Sequence, residues 1–321
     1  MSALRFLRKK GSYHIMNKNG QPWQDDAGEL IQAHGGMILQ HGDTYYWYGE
    51  NKDAENYRNA AGVNMVPFVG ISCYTSRDLV TWHNAGVVLN TATDPTHTLG
   101  RESICERPKV LYDDQRDRFV MWCHYDTPDY TFAGNLVAVA DQPTGPFVVQ
   151  KVLRPNRRES RDMTIYQDGG RTYLIHSSDM NKTLYFSEMT DDYLDFTGFT
   201  AKAFVDQERE APTVFHAGDW YYTVTSGCTG WRPNPALFSR SHFLFSNQKL
   251  IDNPCIGPRA RTTYDGQPTY VLPIAGQYYL MLDHWQRFDL KHSGYSILPI
   301  EIHGRDLVIP WTETPFGGQL D

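Results

Sequence analysis

The chain repeats itself at the interval of a β-hairpin with long connections. Five segments share a short alternating strand, a turn holding Gly, Asp or Asn, and then an aromatic-rich strand. The first runs from Ala33 to Leu39, turns at His41-Gly42-Asp43 and returns through Tyr45-Tyr46-Trp47-Tyr48. The others open at Arg107, Asp162, Ala211 and Pro268, so the spacings are 74, 55, 49 and 57 residues. Such intervals suit one four-stranded propeller blade plus its loops. The later halves agree: Val69 to Tyr74 leads into Asp78 to Trp82, and Leu136 to Ala140 leads into Pro146-Phe147. Helical periodicity is nearly absent, and only Thr190 to Asp195 reads as a turn of helix. The expectation is an all-β, five-bladed β-propeller. It forms one domain over 1–321, with blades at about 33–100, 101–158, 159–206, 207–260 and 261–311. An ordinary β-sandwich leaves five like hairpins unexplained.

Charge narrows the partners. Thirty Lys and Arg against 37 Asp and Glu give a net charge of −7, and basic residues adjoin only at Arg8 to Lys10 and at Arg157-Arg158. Nucleic acid and anionic membranes need clustered positive charge, so both are disfavoured. No apolar run approaches the roughly 20 residues of a membrane-spanning helix. The start carries Arg5, Arg8, Lys9 and Lys10 with no apolar stretch behind them and does not read as a secretory signal. The compartment stays open between the cytoplasm and secretion with a signal absent from this sequence, and the oligomeric state stays open too. Cys73, Cys105, Cys123, Cys228 and Cys255 include no CxxC pair, so neither a disulfide framework nor a zinc site is expected.

In a propeller the innermost strands surround one axial channel, so polar residues where those strands begin share a cavity. The five entrances hold His34, Glu102 to Glu106, Asp162, Glu208 to Glu210, and Asp265-Gly266-Gln267. Glu106, Asp162 and Glu210 lie about fifty residues apart, and only radial geometry brings them together. Converging carboxylates in a Tyr- and Trp-rich cleft suit glycoside hydrolysis, in which one acid protonates the leaving oxygen. Crowded like charges raise at least one pKa and keep that proton in place. The bland alternative is a salt bridge from Glu106 to Arg107 and from Glu210 to Arg209.

Asp162 to Gly170 and Arg209-Glu210-Ala211-Pro212 resemble glycoside hydrolase family 43, the inverting five-bladed enzymes. That resemblance implies Asp162 as pKa modulator and Glu210 as general acid. Where the family usually places its base Asp, this chain has Ala33-His34-Gly35-Gly36. It is most similar to the exo-β-1,3-galactanase branch, which shares that opening, Tyr46 to Glu50, Glu106 to Val110 and a blade-five glutamine. The branch implies that Gln267 acts as an unusual base through its imidic tautomer, with Glu106 assisting. Hydrogen bonding of Gln267 to a sugar hydroxyl is the alternative.

His34 is read as a channel-lining substrate-site residue that orients a neighbour, with a base role as the rival. His124, His176 and His284 follow inner strands, but none has HxH or HxxxH spacing, so no catalytic metal and no cofactor are expected. Glu50, Tyr125, Tyr130, Asn181, Thr229 and Trp231 lie in loops after inner strands and are candidate substrate contacts, Trp231 as a ring-stacking platform or as loop packing. The expected activity is exo-acting, inverting release of galactose from β-1,3-galactan. The alternatives are an α-L-arabinofuranosidase or β-galactofuranosidase on the same scaffold, or a non-catalytic glycan-binding propeller.

Overall fold

A computed structural model describes residues 17–60, 62–245 and 248–318. The basic start from Arg5 to Lys10 lies outside them. Five antiparallel blade sheets follow one another along the chain, and a two-stranded hairpin of Tyr57–Arg58 and Asn64–Met65 interrupts the first between its second and third strands. Their innermost strands are His34–His41, Ile104–Asp113, Met163–Asp168, Arg209–Ala217 and Gln267–Ile274. Each touches the next, and the fifth touches the first, so the ring closes into a five-bladed propeller.

Alternation along the strands explains why the sheets stack. Each blade buries both faces, and five apolar clusters each bridge two neighbouring blades. Between blades five and one, Trp23, Trp47 and Trp82 meet edge to face at 5.6 and 5.2 Å. The segment before blade one is stitched to blade five, with Gly20 N donating to Tyr295 O and Asn19 Nδ2 donating to Thr312 O. Cys73, Cys105, Cys123 and Cys255 are buried free thiols, and Cys228 is exposed.

Two expectations are corrected. Blade four has three strands, Arg209–Ala217, Trp220–Gly227 and Leu237–Ser241, and its fourth is reduced to one bridge between Phe238 and Asp252. After Ser241 the chain turns toward blade three, where Leu244 joins the cluster of Tyr173 and Phe186. Gln248 then turns inward and accepts from Thr223 Oγ1 and Ser239 Oγ. Thr190 to Asp195 is a turn without helix. There Thr190 Oγ1 donates to Asp192 Oδ1 and accepts from Asp195 N, and such local side-chain bonds compete with helical ones.

Candidate active site

One device recurs where the inner strands begin. In blades one, two and four the pairing slips by one residue directly after His34, Glu106 and Glu210. A β-bulge of this kind re-aims a side chain next to an active site. The residue after each carries a left-handed φ: Gly35 at 64°, Arg107 at 51° and Ala211 at 51°. Non-glycine residues adopt such angles at a cost of about 1–3 kcal/mol each, and only where their surroundings over-determine them. Gly36 answers to space instead, since a Cβ there would sit 1.6 Å from Tyr48 O.

The bulges surround a cavity of about 260 Å³. Of the expected residues, Glu106, Asp162, Glu210 and Gln267 line it, as do Glu50, Tyr130, Asn181 and Trp231. Three others do not. His34 is fully buried, with Nδ1 3.3 Å from Asp283 Oδ1 and Nε2 3.1 Å from Tyr295 Oη, so its ring is spent on neighbours. Tyr125 lies in the core against Phe132 and donates to Thr98 O. Thr229 turns into its own loop, donating to Arg232 O and accepting from Asn234 Nδ2.

The neighbouring arginines do not pair with the adjacent acids. Arg209 donates to Thr225 and to Pro235 O. Arg107 is buried, with Nε 2.6 Å from Asp162 Oδ1, Nη2 2.8 Å from Gln267 Oε1 and Nη1 3.1 Å from Pro268 O. Sequence reasoning treated Arg107 only as a partner for Glu106 and missed it as a site residue. It also missed Trp285, which lines the cavity, meets Trp231 at 5.1 Å and donates from Nε1 to Gln267 Oε1 at 3.0 Å. A signal for Arg107 was present: Glu106-Arg107-Pro108 and Glu210-Ala211-Pro212 place the same Glu-X-Pro at two bulges.

Electrostatics separates the acids. Burial pushes the Glu210 carboxyl up, the charge of Asp162 adds to this, and Arg107 only partly opposes them, leaving its pKa at about 8. Glu106 also suffers from burial, but a hydrogen bond from His124 and the charges of Lys52, His124 and Arg107 outweigh it and hold the pKa at about 2. His124 bridges Glu106 Oε2 at 3.3 Å and Asp126 Oδ2 at 3.4 Å. Burial lowers its pKa, yet Asp126 and Glu106 raise it further, to about 9. Glu50 rises to about 7 by burial, against the pull of Lys52, which it contacts at 2.5 Å. At neutral pH the cavity therefore holds a protonated Glu210 and an ionised Glu106.

The His124 pair makes a pH-dependent contribution to stability. Its folded pKa lies above the ordinary 6.5, so the stabilisation is complete below about 6.5 and fades as pH rises through about 9. His124→Gln should accordingly cost more stability at pH 6 than at pH 10, read from urea unfolding at both. An equal cost at the two would show that the ring acts by packing alone.

His176 and His284 take separate partners, Ser187 and Ser296. Among the described residues no group of three or more His, Cys, Asp or Glu is arranged to hold a metal ion.

Comparison with known proteins agrees with this geometry. Residues 32–244 match the glycosyl hydrolases family 43 profile. No curated protein matches the chain. A GH43 β-1,3-galactosidase solved with galactodeoxynojirimycin is 33% identical, over 92% of this chain and 99% of that one, with a TM-score of 0.83. An exo-β-1,3-galactanase from Clostridium thermocellum is 35% identical, over 92% of this chain and 65% of that one, with a TM-score of 0.80. The exo-β-1,3-galactanase of Phanerochaete chrysosporium, solved with β-1,3-galactotriose, is 29% identical, over 93% and 67%, with a TM-score of 0.83. With the profile matching about two thirds of the chain and these likenesses running nearly its full described length, the chain belongs to glycosyl hydrolases family 43.

Proposed function

We propose that this glycoside hydrolase removes terminal galactose from β-1,3-galactan with inversion at the anomeric carbon. The observation that carries the reading is the convergence of Glu106, Asp162, Glu210 and Gln267 on one cavity, where burial and the charge of Asp162 raise the pKa of Glu210. In this reading Glu210 is the general acid. Asp162 is tied to Arg107 Nε and accepts from Ala211 N at 3.1 Å, and it acts through its charge on Glu210. Glu106, ionised at neutral pH, takes the proton of the attacking water, and Gln267 donates to Glu210 Oε1. Tyr130, Asn181, Glu50 and Trp231 line the rest and contact the sugar.

The cavity, at about 260 Å³, is slightly smaller than the usual range of about 300–1,000 Å³ for small-ligand pockets, which fits one terminal sugar better than a length of polymer. The three related enzymes are named for β-1,3-galactoside activity, which supports the same substrate class.

Proton NMR on β-1,3-galactobiose tests the reading. The first galactose released should be the α-anomer, ahead of mutarotation. Release of the β-anomer contradicts inversion. Release of arabinose from an aryl arabinofuranoside, with galactobiose untouched, would make the chain a furanosidase. Binding heat without any monosaccharide would make it a glycan-binding propeller.

A further inference from the structure

Gln267 is the residue whose chemistry the reading above leaves unspecified, and its surroundings specify it. Two groups converge on its Oε1: Arg107 Nη2 at 2.8 Å and Trp285 Nε1 at 3.0 Å. Both are donors only, because a guanidinium is never deprotonated in a protein and an indole nitrogen has no lone pair to offer. On the other side, Nε2 lies 3.1 Å from Glu210 Oε1 and 3.2 Å from Ser226 Oγ. All four hydrogen-bonding directions of the amide are accounted for.

We infer that Gln267 works as a neutral amide throughout turnover, and that Arg107 and Trp285 are the positioning residues that fix its oxygen as an acceptor. The inference rests on the hydrolase reading of this site. An imidic acid carries its proton on oxygen, where it would face two N–H groups. Leaving a buried donor unpaired costs about 1–3 kcal/mol, in addition to the cost of the tautomer itself. Rotating the amide by half a turn is no escape, since its NH₂ group would then face the same two donors. The network therefore fixes the orientation of the amide as well as its tautomer.

The consequence concerns the acid. A Gln267 N–H donates to Glu210 Oε1, so the carboxyl proton of Glu210 sits on Oε2. That oxygen passes the proton to the leaving group, and the Gln267 hydrogen bond then stabilises the carboxylate left behind. No proton moves to or from Gln267; the proton of the attacking water passes to the ionised Glu106 carboxylate, which lines the same cavity.

Neutron crystallography in D₂O, with and without galactodeoxynojirimycin, reads this directly. The expected result is two deuterons on Nε2 and none on Oε1 in both states; a deuteron on Oε1 in either overturns the inference. Kinetics gives a second reading. Gln267→Glu supplies a stronger base but no N–H for Glu210, and kcat on β-1,3-galactobiose should fall by about 100-fold or more. Wild-type or higher turnover in that variant contradicts the amide assignment.

Trp285→Phe keeps an aromatic ring, though a smaller one, and removes one donor. It should lower kcat about tenfold with KM little changed, whereas a change confined to KM would make Trp285 a substrate contact alone. A wild-type enzyme that releases no galactose from galactobiose sinks the hydrolase reading separately, because the deuteron positions still decide the tautomer.

Discussion

Glu210→Gln lowers turnover of β-1,3-galactobiose by about 10²–10⁴-fold, the span of a positioned general acid. The amide is nearly the size of the carboxyl, so binding persists. The loss should depend on the leaving group: a dinitrophenyl β-galactoside needs no proton on departure and should lose far less. The pH profile carries the same signature. Glu210 is useful while protonated, and with its pKa raised to about 8, wild-type activity should fall as pH rises through about 8. That alkaline limb should vanish in the variant. A retained limb, or equal losses on both substrates, would place the acid elsewhere.

Arg107→Met should be the most destabilising single change at the site. The guanidinium is buried, and its removal strands the Asp162 carboxylate and frees one side of Gln267. Breaking one partner of a buried ion pair costs about 3–5 kcal/mol, largely because the surviving charge is left unpaired. Adding Asp162→Asn should therefore recover much of the stability in urea unfolding without restoring activity. The two substitutions move the alkaline limb in opposite directions. Arg107 lowers the pKa of Glu210, so its loss pushes the limb above about 8, and Asp162 raises it, so Asp162→Asn brings the limb below about 8. Additive stability losses in the double variant would show that the pair is not coupled.

How much was legible in the chain follows from which interactions are local. The inner hairpins were readable because a Gly- or Asp-bearing turn between alternating strands specifies its own pairing, as from Met163–Asp168 to Arg171–Ser178 with no slip in register. The entrance acids were readable because strand starts face the axis. Blade four's missing strand was not, because Leu244 and Gln248 are recruited by blade three's apolar cluster and by Thr223 and Ser239 across the sheet. His34 looked available from its place at an entrance, yet Asp283 and Tyr295, some 250 residues away, enclose it. Arg107 was misread because adjacency suggested Glu106 as its partner, whereas the bulge at Arg107-Pro108 turns the two side chains to different neighbours.

Galactose release by this site requires Glu210, Asp162 and Gln267 to meet at one terminal sugar. A crystal structure of Glu210→Gln soaked with β-1,3-galactobiose tests that most directly. The predicted result is the non-reducing galactose inside the cavity between Trp231 and Glu106, with the glycosidic oxygen within hydrogen-bond reach of residue 210. A disaccharide bound only on the outer surface, or seated in the cavity with that oxygen turned away from residue 210, would contradict it.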